Sequence, residues 1–225
     1  MFLPIFACLF GCGTQFSVAI EARAEPNARS ETHFTLAASD PVVTPRNPDY
    51  LAITRAVARA LTSQGFEEAK NPDQADLVVL IDWMISDPKV VLRHAGGDIG
   101  QPSVRGAAPG GKGGMPAGGT NNSASFGMGL EASERGELSY NRLLTLKAVD
   151  RAAYAADPKA KPLWDMTLTS DGQDNEAPVF APAMVAAALP FIATNAGKAR
   201  ARVGSAEDPV KFVRGEIAAM PAKKP

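Results

Sequence analysis

The sequence predicts an α+β fold, a largely antiparallel sheet with two helices packed on one face. Three observations predict it. Phe16, Val18 and Ile20 alternate against Ser17 and Ala19, the period of a strand buried on one side. Tyr50, Ile53, Val57 and Leu61 recur at helical spacing, with Arg55 and Arg59 on the other side. The elements then run strand, strand, helix, strand, strand, strand, helix, and two separated helices among consecutive strands cover one face of a sheet.

Residues 15–22 form the first predicted strand and 32–38 the second, carried by Phe34 and Leu36. Residues 40–48 are rich in Pro and polar turn formers and predict a loop. The first helix opens on Asn47 as N-cap, Pro48 at its first position and Asp49 in its first turn; Gly65 stops it. Asn71-Pro72-Asp73 turns the chain into a strand over 76–86. There Leu77, Val79, Ile81, Trp83 and Ile85 share one face while Val78, Leu80 and Met84 occupy the other, which predicts a central strand.

Two more strands are predicted over 137–149, with Leu138, Leu144 and Leu146, and over 162–169, with Trp164, Met166 and Leu168. A polar loop over 150–161 joins them as an antiparallel pair. The second helix spans 177–196, with Phe180, Met184, Ala188 and Phe191 on one stripe, and Pro190 kinks or ends it early. Lys198, Arg200 and Arg202 read as its basic last turn, where cations offset the helix dipole. Residues 204–225 are expected to be a mobile tail with one short helix near 210–217.

Between residues 95 and 130 lie twelve of the chain's 20 glycines. Such a segment buries too little apolar surface to offset its ordering entropy, so it is expected to be a flexible insert. Gly106 to Gly113 matches G-x-x-x-x-G-K, but no Ser or Thr follows Lys112 and neither a strand nor a helix flanks it. The phosphate-loop reading is rejected.

The chemistry-bearing residues are few. The formal net charge is −1, without the basic excess that nucleic-acid binding requires. His33 and His94 are the two histidines and neither has a neighbour at metal-ligand spacing. His33 is expected at a half-exposed strand edge. Asp76, Asp82, Asp150 and Asp165 fall on or near strands, so a carboxylate pair is conceivable. Asp76 and Asp150 sit at strand ends, where Asp satisfies turns. Asp82 interrupts an apolar run and is expected to bond Arg142 on a neighbouring strand. No catalytic residue, metal site or cofactor is assigned, and the chain is read as non-enzymatic.

Cys8 and Cys12 are the two cysteines, so no disulfide staples the remainder of the chain. Phe2 to Phe10 has the length of a signal-peptide apolar core and is too short to span a bilayer, although no positive residue precedes it. Leu9-Phe10-Gly11-Cys12 resembles a bacterial lipobox, with Phe10 a departure from the usual small residue. Residues 1–12 are thus expected to be a lipoprotein-type signal segment and Cys12 the lipid attachment site, carrying palmitate-type acyl chains. Each buried methylene of such chains contributes roughly 0.8 kcal/mol to anchoring. Ala22-Arg23-Ala24 has the form of an ordinary cleavage site, but Glu21 and Arg23 interrupt the apolar approach.

From Phe34 onward the chain resembles the DUF4136 family of bacterial lipoproteins. The resemblance rests on Phe34-Thr35-Leu36, on Leu61 to Phe66, on Gln74-Ala75-Asp76-Leu77-Val78-Val79, on Leu143 to Asp150, on Pro162-Leu163-Trp164 and on Ala188-Leu189-Pro190-Phe191. It implies an envelope domain over 13–203, interrupted by the insert at 95–130, and offers no catalytic residue. Gly13, in place of the Asp that retains such proteins in the inner membrane, implies the outer membrane, with the domain facing the periplasm. The expected partners are the membrane, through the lipid, and another envelope protein, with no nucleic acid. The competing expectation is a soluble periplasmic small-molecule-binding protein with a pocket between helices and sheet.

Overall fold

The expected alternation becomes β1 (Gln15–Ala24), whose Phe16, Val18, Ile20 and Ala22 are buried while its other side chains are exposed or half-buried. The computed structural model describes residues 15–93, 135–205 and 207–218. After β1 come β2 (His33–Ala38), α1 (Pro48–Ser63), the two-residue β3 (Glu67–Glu68), β4 (Leu77–Ile85), β5 (Lys89–Arg93) and β6 (Arg135–Asp150). There follow α2 (Arg151–Ala156), β7 (Trp164–Gly172), α3 (Ala177–Ala188), β8 (Gly197–Gly204) and α4 (Asp208–Arg214). The chain divides into two units, Met1–Lys89 with Leu138–Pro225, and Val90–Glu137. The second is described only at its two ends, which belong to β5 and β6.

The strands form one mixed sheet in the order β3-β2-β4-β6-β7-β1-β8, with β5 also pairing β6. β2 runs parallel to β3 and β4, and the pairs β4–β6, β6–β7, β7–β1 and β1–β8 are antiparallel. The fold is α+β, as expected. Parallel neighbours need a crossover, and α1 supplies it between β2 and β4.

Asn47 Oδ1 accepts from the Asp49 and Tyr50 amides at 2.9 and 3.1 Å, which fixes where α1 starts. Gly65, at φ +90°, turns the chain out of it in a conformation that a side chain would strain. α1 lays Tyr50, Ile53, Val57 and Leu61 onto the sheet, and Tyr50 stacks on Trp83 of β4 at 6.1 Å. α3 is buried almost all round, from Phe180 to Ala188, because it packs on α1, α4 and the β1, β7 and β8 strands. Each fully buried Ile, Leu or Phe in this layer contributes about 1.5–3 kcal/mol over its exposed state. The opposite face of the sheet is largely open, except where Tyr154 and Ala160 cover Val78, Leu80 and Val149.

Several expectations are corrected. The polar loop over 150–161 contains α2, capped by Asp150, whose Oδ1 accepts from the Ala153 amide at 2.6 Å. The second helix ends at Ala188 and passes into a 3-10 turn over Leu189–Phe191, since Pro190 carries no N–H to continue the ladder. Lys198, Arg200 and Arg202 lie on a strand, β8, not in a helical turn; their spacing of two is the period of a strand face. Residues 207–218, expected within a mobile tail, hold α4, which buries Val210, Phe212 and Val213 against α1 and α3. Asp82 does not meet Arg142. It stands opposite Thr145, while Arg142 stands opposite Ile85 on the helix-facing side, so the two side chains leave opposite faces.

Candidate functional site

Leu77 pairs with Asp150 in the β4–β6 ladder, which brings the end of β6 beside Asp76 at the start of β4. The backbone locks this corner: the Arg151 amide donates to the Asp76 carbonyl and the Asp76 amide to the His33 carbonyl, each at 2.8 Å. Around it lies a cleft of about 420 Å³ lined by Glu31, Ala75, Asp76, Asp150, Arg151 and the α2 alanines 152 and 155. Two of the four sequence-identified aspartates, Asp76 and Asp150, thus converge, and Glu31 joins them. Glu31 carries no sequence signal, because it lies in the turn before β2 and enters the cleft only through tertiary packing.

The carboxylates have identifiable tasks. Asp150 caps α2. Asp76 Oδ2 lies 3.1 Å from His33 Nδ1, and His33 Nε2 is 3.6 Å from Glu67 on β3. Arg151 turns to Asp73, with Nη2 2.6 Å from its carboxylate. Glu31 Oε2 is buried and, unprotonated, meets no hydrogen-bond donor among the described residues. Burial pushes the Glu31 carboxyl above its ordinary range, the negative charge of Asp150 adds to this, a hydrogen bond to Asp150 favours the protonated form, and Asp76 contributes last. Glu31 therefore holds its proton more tightly than an exposed carboxyl does.

The other aspartates stay apart. Asp165 on β7 stands opposite Arg23 and Lys147, and Asp82 is exposed on the open face. His33 is half exposed, as expected, and His94 lies outside the described residues. Among the described residues no group of three or more His, Cys, Asp or Glu side chains is placed to hold a metal. The described cavities lie at the sheet corners, on the open face and between α1 and α4, not between the helices and the sheet.

A second polar feature, unannounced by the sequence, sits inside the core. Arg142 is only 1 % exposed, its guanidinium 5.7 Å from the Phe16 ring and 5.3 Å from the Phe180 ring. Among the described residues its Nε and Nη1 have no hydrogen-bond partner, nor has the hydroxyl of buried Ser170 opposite it on β7. Burial lowers the Arg142 pKa, and the charges of Asp174 and Asp171 act against that shift.

The third feature is the open face of β1 and β8. Arg202, Arg200 and Lys198 stand opposite Ser17, Ala19 and Glu21; Lys198 and Arg200, with Thr167 and Thr169 of β7, border a shallow depression of about 420 Å³. Cys12, the expected lipid attachment site, the preceding signal segment and the insert at 95–130 lie outside the described residues. Among the described residues no helix is long and apolar enough to cross a membrane.

No family model matches the chain, and no curated protein matches it. A solved structure, a PDZ domain protein from Parabacteroides distasonis, is similar at 11 % identity and a TM-score of 0.40. The alignment covers 85 % of this chain and 40 % of that one, so this chain spans less than half the length of that protein.

Proposed function

We propose that this chain is a lipid-anchored domain of the bacterial cell envelope, held by Cys12 in the outer membrane and facing the periplasm. Its role is binding or structural, in the manner implied by the resemblance to the DUF4136 lipoproteins. The observation that carries this reading is where the cysteines fall. Cys12 closes the Leu9-Phe10-Gly11-Cys12 motif, the only other cysteine precedes it, and the sheet begins at Gln15. Acylated Cys12 would be joined to β1 through Gly13 and Thr14 alone, a tether of at most about 10 Å. The folded body would then sit directly on the bilayer surface.

The test is the intact mass and N-terminal peptide of the protein taken from membranes, beside Cys12→Ser. The expected result is an acylated N-terminus at Cys12, and release of the variant to the soluble fraction. An unacylated chain in the soluble fraction that still carries β1 would overturn the anchor and make a soluble periplasmic binder the leading reading. Retention of every residue from Met1 would overturn export itself.

A further inference from the structure

β8 ends the sheet. Among the described residues it pairs with β1 alone, and no hydrogen bond engages the outward backbone groups of residues 198–203. Roughly half of the N–H and C=O groups of an edge strand point away from its neighbour and stay free to bond another chain. The two faces of this edge differ sharply. On the open face Lys198, Arg200 and Arg202 are exposed and, among the described residues, in no ion pair, and Arg200 and Arg202 face the uncharged Ala19 and Ser17 across the ladder. On the helix-facing side Ala199 and Ala201 are half-buried against the core.

We infer that the outer edge of β8 is a docking site for an extended acidic segment of a partner protein, which adds to the sheet as a further strand. Only a polypeptide offers N–H and C=O groups at the spacing the edge presents. Alternate acidic side chains of that segment stand opposite Lys198, Arg200 and Arg202 on one face, within reach of charge-assisted hydrogen bonds. Its intervening apolar side chains lie beside Ala199 and Ala201 on the other. A second copy of this chain is a poor occupant, because antiparallel self-pairing centred on Arg200 sets cation against cation. The inference gives a partner to the binding role proposed above and does not depend on the anchor.

The experiment uses the full-length Cys12→Ser chain in solution, so that its outcome is independent of lipidation. A fluorescent peptide Thr-Glu-Val-Glu-Val-Glu-Thr is titrated by anisotropy, beside the same peptide N-methylated at alternate amides. The expected result is binding of the first and not the second, with slowed amide hydrogen exchange over residues 198–203. Arg200→Glu, at an exposed position that leaves the melting curve unchanged, should weaken binding about tenfold, the worth of one charge-assisted contact. Absence of binding would overturn the inference. So would equal binding of the N-methylated peptide, which would reduce the edge to a basic patch that merely keeps copies apart. A dimer whose β8 amides are protected without peptide would assign the edge to a second copy and overturn it as well.

Discussion

Arg142 fills the space that a side chain at residue 172 would need. A Cβ built on Gly172 would lie 1.5 Å from Arg142 Nη2 and 2.8 Å from its Cζ. The arginine cannot simply swing aside, because Phe16 and Phe180 flank its guanidinium and the residue is buried. Gly172→Ala should therefore destabilise the fold by about 1–3 kcal/mol, the usual cost of overpacking. A fall in the urea midpoint at unchanged slope is the expected observation; an unchanged midpoint would show that Arg142 has room to move.

The same buried cation gives a prediction of opposite sign. Among the described residues Arg142 keeps Nε and Nη1 without partners, so its desolvation is poorly compensated. Arg142→Met preserves much of the stem volume between the two rings and removes the charge. It should leave stability unchanged or raise it by about 1 kcal/mol or more, as replacement of poorly satisfied buried charges does elsewhere. Arg142→Ala should instead cost roughly 2–4 kcal/mol through the cavity it opens. Thermal melts of the two variants side by side separate a packing role from an electrostatic one.

Glu31 gives the fold a pH dependence whose sign follows from its raised pKa. The folded state holds the proton more tightly than the unfolded chain, where Glu titrates near 4.5. The stability linked to protonated Glu31, whose raised pKa comes first from burial and then from Asp150, is fully present below that value. It is lost as pH rises through the higher pKa of the folded state, where Glu31 becomes a buried charge. Glu31→Gln, which keeps a donor at every pH, should flatten this decline. The expected outcome is a variant more stable than the parent at pH 7, by up to about 1 kcal/mol, the worth of one hydrogen bond. At pH 4 the two should be nearly equal. Denaturant unfolding at both pH values measures this, and equal differences at both would refute it.

The elements legible in the sequence are those whose large apolar residues carry the period. β1 shows through Phe16, Val18 and Ile20, α1 through Tyr50 to Leu61, and β4 through its double apolar face. β8 was hidden because two of its inward residues, Ala199 and Ala201, are too small to mark an alternation and leave Val203 alone at its end, so that only the cations were read. α2 was hidden for a related reason, since Ala152, Ala153, Ala155 and Ala156 fit a helix without advertising one. The Asp82–Arg142 pair failed on parity. The core face of β4 carries odd-numbered residues and that of β6 even-numbered ones, and only the observed register fixes which side chains share a face. The Glu31 cleft was half legible, because Asp76 and Asp150 lie at strand ends while Glu31 arrives from a turn without a pattern.

The start of α1 offers a direct test of a feature read from sequence alone. Asn47 satisfies two amides that would otherwise lack intrahelical partners. Asn47→Ala should cost about 1 kcal/mol, while Asn47→Asp should retain most of the stability by keeping an acceptor at the helix N-terminus. Comparison of melting temperatures for the two variants distinguishes loss of the cap from a general sensitivity of the preceding loop.

α4 decides whether the chain beyond Gly204 belongs to the folded body. Val210 is fully buried, and Phe212 and Val213 close the same layer over α1 and α3. If α4 is integral, Val210→Ala should destabilise the whole domain by roughly 2 kcal/mol, since the buried methyls leave a gap that close packing cannot refill. Deletion of 205–225 should do more, because it uncovers apolar surface on α1 and α3 and exposes it to aggregation. A peripheral tail would give another result: both variants would melt with the parent, and proteolysis would trim the chain near Gly204 without loss of the remaining fold. Limited proteolysis with mass readout, run on the parent and on Val210→Ala, distinguishes the two, with protection of residues 208–214 in the parent as the expected outcome.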